Sequence, residues 1–348
     1  MKKVCVAMSG GVDSSVAAFL LKRAGYEIFG VFMKLWDEPD SVSGCCSLSD
    51  SLDALRVAEK LNIPFYVLNF KDEFKKFVIE YFLKEYKNGH TPNPCINCNR
   101  YLKFDFLLKK AKMMGADFLA TGHYARILNE QGKYFLYKGV DDKKDQSYFL
   151  FNIPSEKLWE IIFPLGNLRK EEVRSIAEKE GLITARKRES QEICFIEKNY
   201  RDFLKKMDFK DEHGNIVDIN GNILGRHKGY FNYTIGQRGG LNVAKGYPIY
   251  VIDIIPERNI IIADREEHLF KKELSIMNIN LFDEIKEDYV YTIKIRYKHP
   301  GADAYLRKQN KKITVVFEKE QRAITPGQAA VIYDREKLIG GGWIERSL

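Results

Sequence analysis

Cysteine and proline are both scarce, at six and ten in 348 residues. Six cysteines in a chain this long do not make a disulfide framework. Ten prolines, set beside 45% hydrophobic and 30% charged residues, exclude a compositionally disordered chain and predict a large buried core. Long apolar runs are missing as well. Ile249-Tyr250-Val251-Ile252 stops at Asp253, far short of the ~20 residues a membrane-spanning helix needs, so no membrane span is expected. Met1-Lys2-Lys3 opens like a signal peptide, but the apolar stretch 4–8 is only a strand's length before Ser9-Gly10-Gly11 interrupts it. The expectation is a cytoplasmic protein. Neither sign of charge dominates: 56 Lys and Arg against 48 Asp and Glu leave +8, which permits a polyanionic partner without requiring one.

At about 100–200 residues per domain the length predicts two or three domains. The first part alternates apolar strand patterns (4–8, 28–34, 65–70, 118–121) with helical spacing (14–24, 52–61, 73–86, 102–114). Such β-α repeats predict a parallel sheet covered by helices, with ligands at the carboxyl ends of its strands. Helices are also expected over 155–160 and 171–181. Near residue 200 the character changes to glycine-punctuated β-type runs, and 291–297, 313–317 and 329–333 read as barrel or sandwich strands. The predicted fold is α/β, a parallel-sheet nucleotide-binding domain (1–198) followed by a small mostly-β middle domain (199–265) and a C-terminal β-barrel (266–348).

Ser9-Gly10-Gly11-Val12-Asp13-Ser14-Ser15 lies between a buried strand and a helix start. Adjacent glycines let backbone N–H groups converge on an anion, the helix terminus adds a favourable dipole, and the serines offer hydroxyl donors. This is a phosphate site, although it lacks the Gly-Lys-Ser/Thr of kinase-type loops. The run resembles the pyrophosphatase-type loop of ATP enzymes that cleave between the α and β phosphates, among them NAD and GMP synthetases, argininosuccinate synthetase, tRNA-lysidine synthetase and tRNA thiolases. That resemblance implies an ATP site made of Ala7, Met8, Ser9, Gly10, Gly11, Val12, Asp13 and Ser14. Asp13 would help hold Mg²⁺ with the released pyrophosphate, with a helix-capping role as its competitor. Met33 would stack on adenine, and Gly122 would admit the nucleotide closely.

Thr91-Pro92-Asn93-Pro94-Cys95-Ile96-Asn97-Cys98 is a proline-stiffened loop with C-x-x-C before a helix. A helix N-terminus stabilises a thiolate, which suits a nucleophile or a metal ligand. Structural zinc wants about four ligands, and no second C-x-x-C or spaced histidine pair follows. Cys194, in Ser190-Gln191-Glu192-Ile193-Cys194-Phe195-Ile196, sits in an apolar, strand-like context that alone would suggest an inert core thiol.

Together with Met33-Lys34-Leu35-Trp36, Ala120-Thr121-Gly122-His123-Tyr124-Ala125, Lys144-Asp145-Gln146-Ser147-Tyr148-Phe149 and Tyr233-Thr234-Ile235-Gly236-Gln237-Arg238-Gly239-Gly240-Leu241, these segments resemble the tRNA-specific 2-thiouridylases over essentially the whole chain. The resemblance implies ATP-dependent 2-thiolation of the wobble uridine of tRNA. The 2-carbonyl oxygen would be adenylated and sulfur delivered from a cysteine persulfide, with AMP and pyrophosphate released. Cys98 would be the nucleophile and Cys194 the persulfide carrier, the two forming a disulfide during turnover. The persulfide sulfur could attack directly, or Cys98 could liberate sulfide from it. Many members carry Asp where this chain has Cys95, so a carboxylate role does not transfer. Cys95, Cys98 and Cys194 could alternatively hold three irons of a [4Fe–4S] cluster acting with sulfide; otherwise no resident metal is expected. Cys45 and Cys46 receive no role.

By the same resemblance Asn93, Pro94 and Cys95 contact the target base, Lys144, Asp145 and Gln146 meet tRNA, and Arg296-Tyr297 is the tRNA contact of the late β region. Exposed anticodon bases stack on aromatic faces while Arg and Lys meet phosphates. His123 is a candidate base, with a hydrogen-bonded structural role as the alternative. The implied partners are tRNA and a persulfide donor or relay protein. A tRNA-lysidine-like ligase would need no cysteine pair, and a non-catalytic RNA-binding protein would show no RNA-dependent release of pyrophosphate.

Overall fold

The computed structural model describes residues 1–36, 48–187, 193–196, 199–309 and 312–347, so Cys45 and Cys46 lie outside the described residues. Two compact units form. One gathers Met1–Ile79, Cys95–Glu197 and Glu336–Leu338; the other gathers Glu80–Pro94, Lys198–Arg335 and Ile339–Leu348.

In chain order the α/β half runs β1 (Lys3–Ala7), α1 (Val12–Arg23), β2 (Glu27–Lys34), α2 (Leu48–Lys60), β3 (Phe65–Asn69) and α3 (Lys71–Phe74). A π-helical turn, Lys75–Ile79, leads into α4 (Glu80–Lys87). Then come α5 (Pro94–Asn97), a ten-residue π-helical run Cys98–Leu107, α6 (Leu108–Met113), β4 (Phe118–Ala120), β5 (Ala125–Glu130), β6 (Lys133–Lys138), β7 (Ile161–Ile162) and α7 (Lys170–Lys179). The first unit's sheet has the order β3-β2-β1-β4-β7 and every pairing is parallel. Val4, Cys5 and Val6 are fully buried in its middle strand, as expected for a parallel strand covered on both faces. Val16, Ala17 and Ala18 of α1 and Val57 of α2 pack into the same core. β1 hands the chain to β2 on one side and takes β4 on the other, so the reversal point that opens a ligand crevice lies at the carboxyl end of β1.

The sequence-based strands fall within a residue or two of these, and α1 starts at Val12, two residues earlier than expected. The helices expected over 73–86 and 102–114 are interrupted by π-helical turns, and 155–160 is a 3₁₀ segment. The β5–β6 hairpin was not foreseen. Its two-residue turn puts Gln131 (φ 52°) and Gly132 (φ 89°) in the left-handed region, the geometry that matches strand twist.

The second unit holds α8 (Tyr200–Lys206), β8 (His213–Val217), β9 (Ile223–Lys228), β10 (Tyr250–Ile255) and β11 (Ile260–Asp264), the four strands forming one sheet in the order β10-β11-β8-β9. Segment 80–94 belongs here because Phe82 packs edge-on against Phe203 and Tyr86 stacks on Tyr200 at 5.2 Å. The remaining strands are β12 (Phe270–Leu281), β13 (Tyr291–Lys294), β14 (Ala302–Gln309), β15 (Lys312–Arg322), β16 (Ala329–Asp334) and β17 (Lys337–Ser347). They run β12-β15-β14-β13-β16-β17, and β12 also pairs with β17, which closes an antiparallel barrel. Closure removes exposed strand edges. Ile293, Val315, Phe317 and Ile332 fill the interior.

Candidate functional site

Past β1 the chain stays tied to the sheet by one more bond, the Met8 N–H donating to the Val31 carbonyl at 2.8 Å. Gly10 then turns with φ +70°, and a Cβ there would overlap the Asp50 carbonyl oxygen and fall 2.8 Å from Asp50 Cα. Gly11 precedes α1 in extended geometry with no side-chain cap, so the N–H groups of the first turn have no acceptor within the helix. The Ser14 hydroxyl accepts from Ser9 N (3.1 Å) and donates to the Gly11 carbonyl (3.1 Å), which Ser15 also reaches (2.8 Å). The serines therefore shape the loop, and the N–H groups of the first turn of α1, with no acceptor inside the helix, suit an anion.

Asp13, the second residue of α1, is held from two sides. The Lys170 ammonium lies 2.7 and 2.8 Å from its two carboxylate oxygens, and the Tyr124 hydroxyl donates to Oδ1 at 2.7 Å. Lys170 is only 7% exposed. Gly122 abuts the same helix start, where a Cβ would come within 2.8 Å of the Asp13 carbonyl carbon and Ser14 N. Behind the loop, Lys187 ties Asp50 (2.7 Å) and Asp53 (2.6 Å) together at the head of α2. Met33 is half-buried near the carboxyl end of β2, paired with Leu68 of β3. Ala7 through Ser14, Met33 and Gly122 thus belong to the carboxyl ends of three neighbouring strands.

Cys95 lies in α5 and Cys98 opens the long π-helical run. Cys194 stands in a turn, closed by Ile196 N–H donating to the Ile193 carbonyl (2.9 Å), and not in the strand expected for it. It is partly exposed, as are Cys95 and Cys98, so the inert-core reading does not hold. Phe195, beside Cys194, packs on Phe74 at 5.6 Å; one helical turn on, Phe77 stacks on Tyr101 and accepts the Asn97 amide on its carbonyl. Both cysteine-bearing segments therefore dock on 74–77. Among the described residues no group of three His, Cys, Asp or Glu side chains is placed to hold a single metal ion. Cys5 differs from all three: burial pushes its thiol up to about 12.

His123 is buried between Phe104 and Phe163. The Lys103 ammonium faces Nε2 (3.4 Å), which assigns the ring proton to Nδ1 and its bond to the Thr121 hydroxyl (2.6 Å). Burial, reinforced by Lys103, holds its pKa well below the ordinary value, and the neutral ring serves the packing. Asp145 faces inward instead of outward: it is buried and takes the N–H groups of Gly139 and Ser147 and the Ser147 hydroxyl. Gln146 bonds the backbone of Tyr124, and Lys144 is half-exposed.

In the second unit the approach to Asn93 and Pro94 is pinned at Thr91, whose N–H donates to the Pro326 carbonyl and whose carbonyl accepts Gln328 Nε2 (2.6 Å). Arg296 and Tyr297 follow β13, both partly exposed; Arg296 donates to the Arg322 carbonyl (3.3 Å), and Lys294 stands 5.9 Å above the Tyr297 ring. Lys170, Tyr124, Asp50 and Lys187 were not singled out by sequence reasoning. Tyr124 lay inside a quoted motif, whereas the lysines carried no local signal.

Three family models match in succession: a tRNA methyl transferase HUP domain over residues 2–198, a tRNA methyl transferase PRC-barrel domain over 201–264, and an aminomethyltransferase β-barrel domain over 271–344. The chain is 51% identical to the tRNA-specific 2-thiouridylase of Carboxydothermus hydrogenoformans, covering 100% of this chain and 98% of the relative. The chain belongs to the tRNA-specific 2-thiouridylase family. Another relative of the same name, from Clostridioides difficile, is 50% identical across 100% of this chain and 99% of its own length. Among solved structures the likeness to a 4-thiouridine synthetase–RNA complex with bound ATP is distant, at 19% identity and a TM-score of 0.35 over 60% of this chain and 50% of that one. The first model covers the phosphate loop and all three partly exposed cysteines, and the third covers Arg296 and Tyr297.

Proposed function

We propose that this tRNA-uridine 2-sulfurtransferase thiolates the wobble uridine of tRNA in two stages, activation by Mg-ATP and sulfur transfer through Cys194 and Cys98. The observation that carries the reading is the pairing, in one compact unit of a full-length 2-thiouridylase homologue, of a bare-backbone anion loop with two half-exposed cysteine segments docked on 74–77.

A uracil 2-carbonyl is a poor electrophile without a leaving group. In the first stage its oxygen attacks the α phosphorus of ATP and pyrophosphate departs, cradled by the N–H groups that follow Ser9. AMP on O2 is then a good leaving group. In the second stage the terminal sulfur of a Cys194 persulfide reaches C2, either directly or as sulfide freed by Cys98, and AMP leaves. Along the direct route the Cys98 thiolate attacks Cys194 Sγ and breaks the sulfur–sulfur bond to the thiouridine. Both routes end with a Cys98–Cys194 disulfide, which an external thiol reductant must reopen. Asn93, Pro94 and Cys95 meet the target base, while Lys144, Gln146, Arg296 and Tyr297 contact tRNA. Asp145 supports the turn from inside.

Incubation with tRNA, Mg-ATP and a persulfide donor, followed by nucleoside mass spectrometry and AMP quantitation, tests the reading. Thiouridine and AMP in equal amounts are expected; AMP without tRNA, or no thiouridine, would remove it.

A further inference from the structure

The turn carrying Lys144-Asp145-Gln146 reaches the phosphate loop by two separate arms. On one, Tyr124 and Gln146 bond reciprocally: the Tyr124 N–H donates to Gln146 Oε1 (3.0 Å), and the Tyr124 carbonyl accepts the Gln146 N–H (2.9 Å). The Tyr124 hydroxyl then donates to Asp13. On the other, Asp141 takes the Lys143 N–H on Oδ1 (3.1 Å) and the backbone N–H of Lys170 on Oδ2 (2.9 Å), and the Lys170 ammonium grips both oxygens of Asp13. Both arms begin within residues 141–146 and end on one carboxylate.

No lysine or arginine stands in the loop itself, residues 9–15. The cationic side chain beside it is that of Lys170, 7% exposed and paired with Asp13. Removing it would leave Asp13 uncompensated where a triphosphate binds.

We propose that Lys170 and Tyr124 are positioning residues that couple the 141–146 turn to the ATP loop through the Asp13 carboxylate. The coupling half rests on the reading that this turn meets tRNA. Coupling of this kind is reciprocal, so tRNA on the turn tightens Mg-ATP binding by the factor that Mg-ATP tightens tRNA.

The test compares the parent protein with Lys170→Met, Lys170→Arg and Tyr124→Phe, measuring Kd for Mg-ATP by calorimetry with and without saturating tRNA, alongside AMP formation. In the parent, tRNA should tighten Mg-ATP binding by about fivefold or more. Lys170→Met should weaken Mg-ATP binding by about tenfold and bring the tRNA factor towards one, with Lys170→Arg restoring part of both. Tyr124→Phe, which removes a single hydroxyl and keeps the fold, should lower the tRNA factor while leaving tRNA affinity in the absence of ATP at the parent value. A parent-like Kd and tRNA factor in folded variants would overturn the proposal, as would a parent whose Mg-ATP affinity ignores tRNA. A parent that binds both ligands and forms no AMP would instead remove the adenylation reading, and the Kd comparison would still decide the coupling.

Discussion

Gly10 lies so close to the backbone of Asp50 that any side chain on it would overlap the Asp50 carbonyl. The anion loop is thus seated against the head of α2, which Lys187 stitches through Asp50 and Asp53. Gly10→Ala must move that seat and adopt a left-handed backbone, which costs an alanine about 1–2 kcal/mol before the clash is counted. A fall in Tm of at least a few degrees and loss of AMP formation are expected, measured by thermal unfolding and nucleotide chromatography. A parent-like Tm and rate would show that the seat is soft.

Asp13→Ala should suppress AMP formation by more than tenfold and leave tRNA affinity in the absence of ATP unchanged, because Lys170 and Tyr124 fix the carboxylate beside the loop proposed to hold the phosphates. Unchanged AMP output would take the residue out of the mechanism.

The cysteines separate the two stages. Cys98→Ser and Cys194→Ser should each abolish thiolation, yet Cys98→Ser should still adenylate tRNA and release pyrophosphate, because activation precedes sulfur transfer. Cys95→Ser should keep appreciable activity, since the persulfide route needs only Cys98 and Cys194, whereas loss of iron and activity together would move the reading to a cluster. Thiolation by Cys194→Ser with a persulfide donor would sink the persulfide route.

Arg296→Ala should weaken tRNA binding by about 1–3 kcal/mol and lower the salt slope, leaving Mg-ATP affinity untouched. Filter binding across a salt series reads both quantities. An unchanged affinity and slope would leave Arg296 with only its bond to the Arg322 carbonyl.

Acid should weaken both units through buried histidines. His299, desolvated and near Arg296, titrates at about 4, and burial depresses His123 as well. Unfolded histidine takes its proton near 6.5, so the unfolded chain binds more protons in the window from about 6.5 down to about 4. Stability is therefore full above that window and falls as pH drops through it, by at most about 3 kcal/mol for His299. Urea midpoints at pH 7.5 and 5 should differ, and His299→Gln should shrink the difference.

The sequence disclosed what is local. The glycine turn between β1 and α1 was legible because Gly10-Gly11 falls between an apolar pentad and a helix pattern. The barrel strands announced themselves by alternation. Lys170 was hidden because it meets Asp13 across 157 residues of chain, and lysine at a helix start ordinarily means solvent. The segment around Cys194 reads as a strand but forms a turn, because a short apolar run suits either. The π-helical turns were illegible because apolar periodicity is read against a spacing of 3.6, which these turns do not keep.

Cys98 begins a ten-residue helix wound one residue wider per turn than its α-helical continuation. Such a stretch acts as an angular vernier. Deleting one residue between Cys98 and Leu107 would change the winding of the segment and with it the angle at which everything before the deletion leaves the helix. The thiol would then point in a new direction with every side chain of the motif still present. Alignment gaps of a single residue in this segment therefore mark a change of aim, and homologues that differ there should be compared by the direction of their thiol before their residue types are matched.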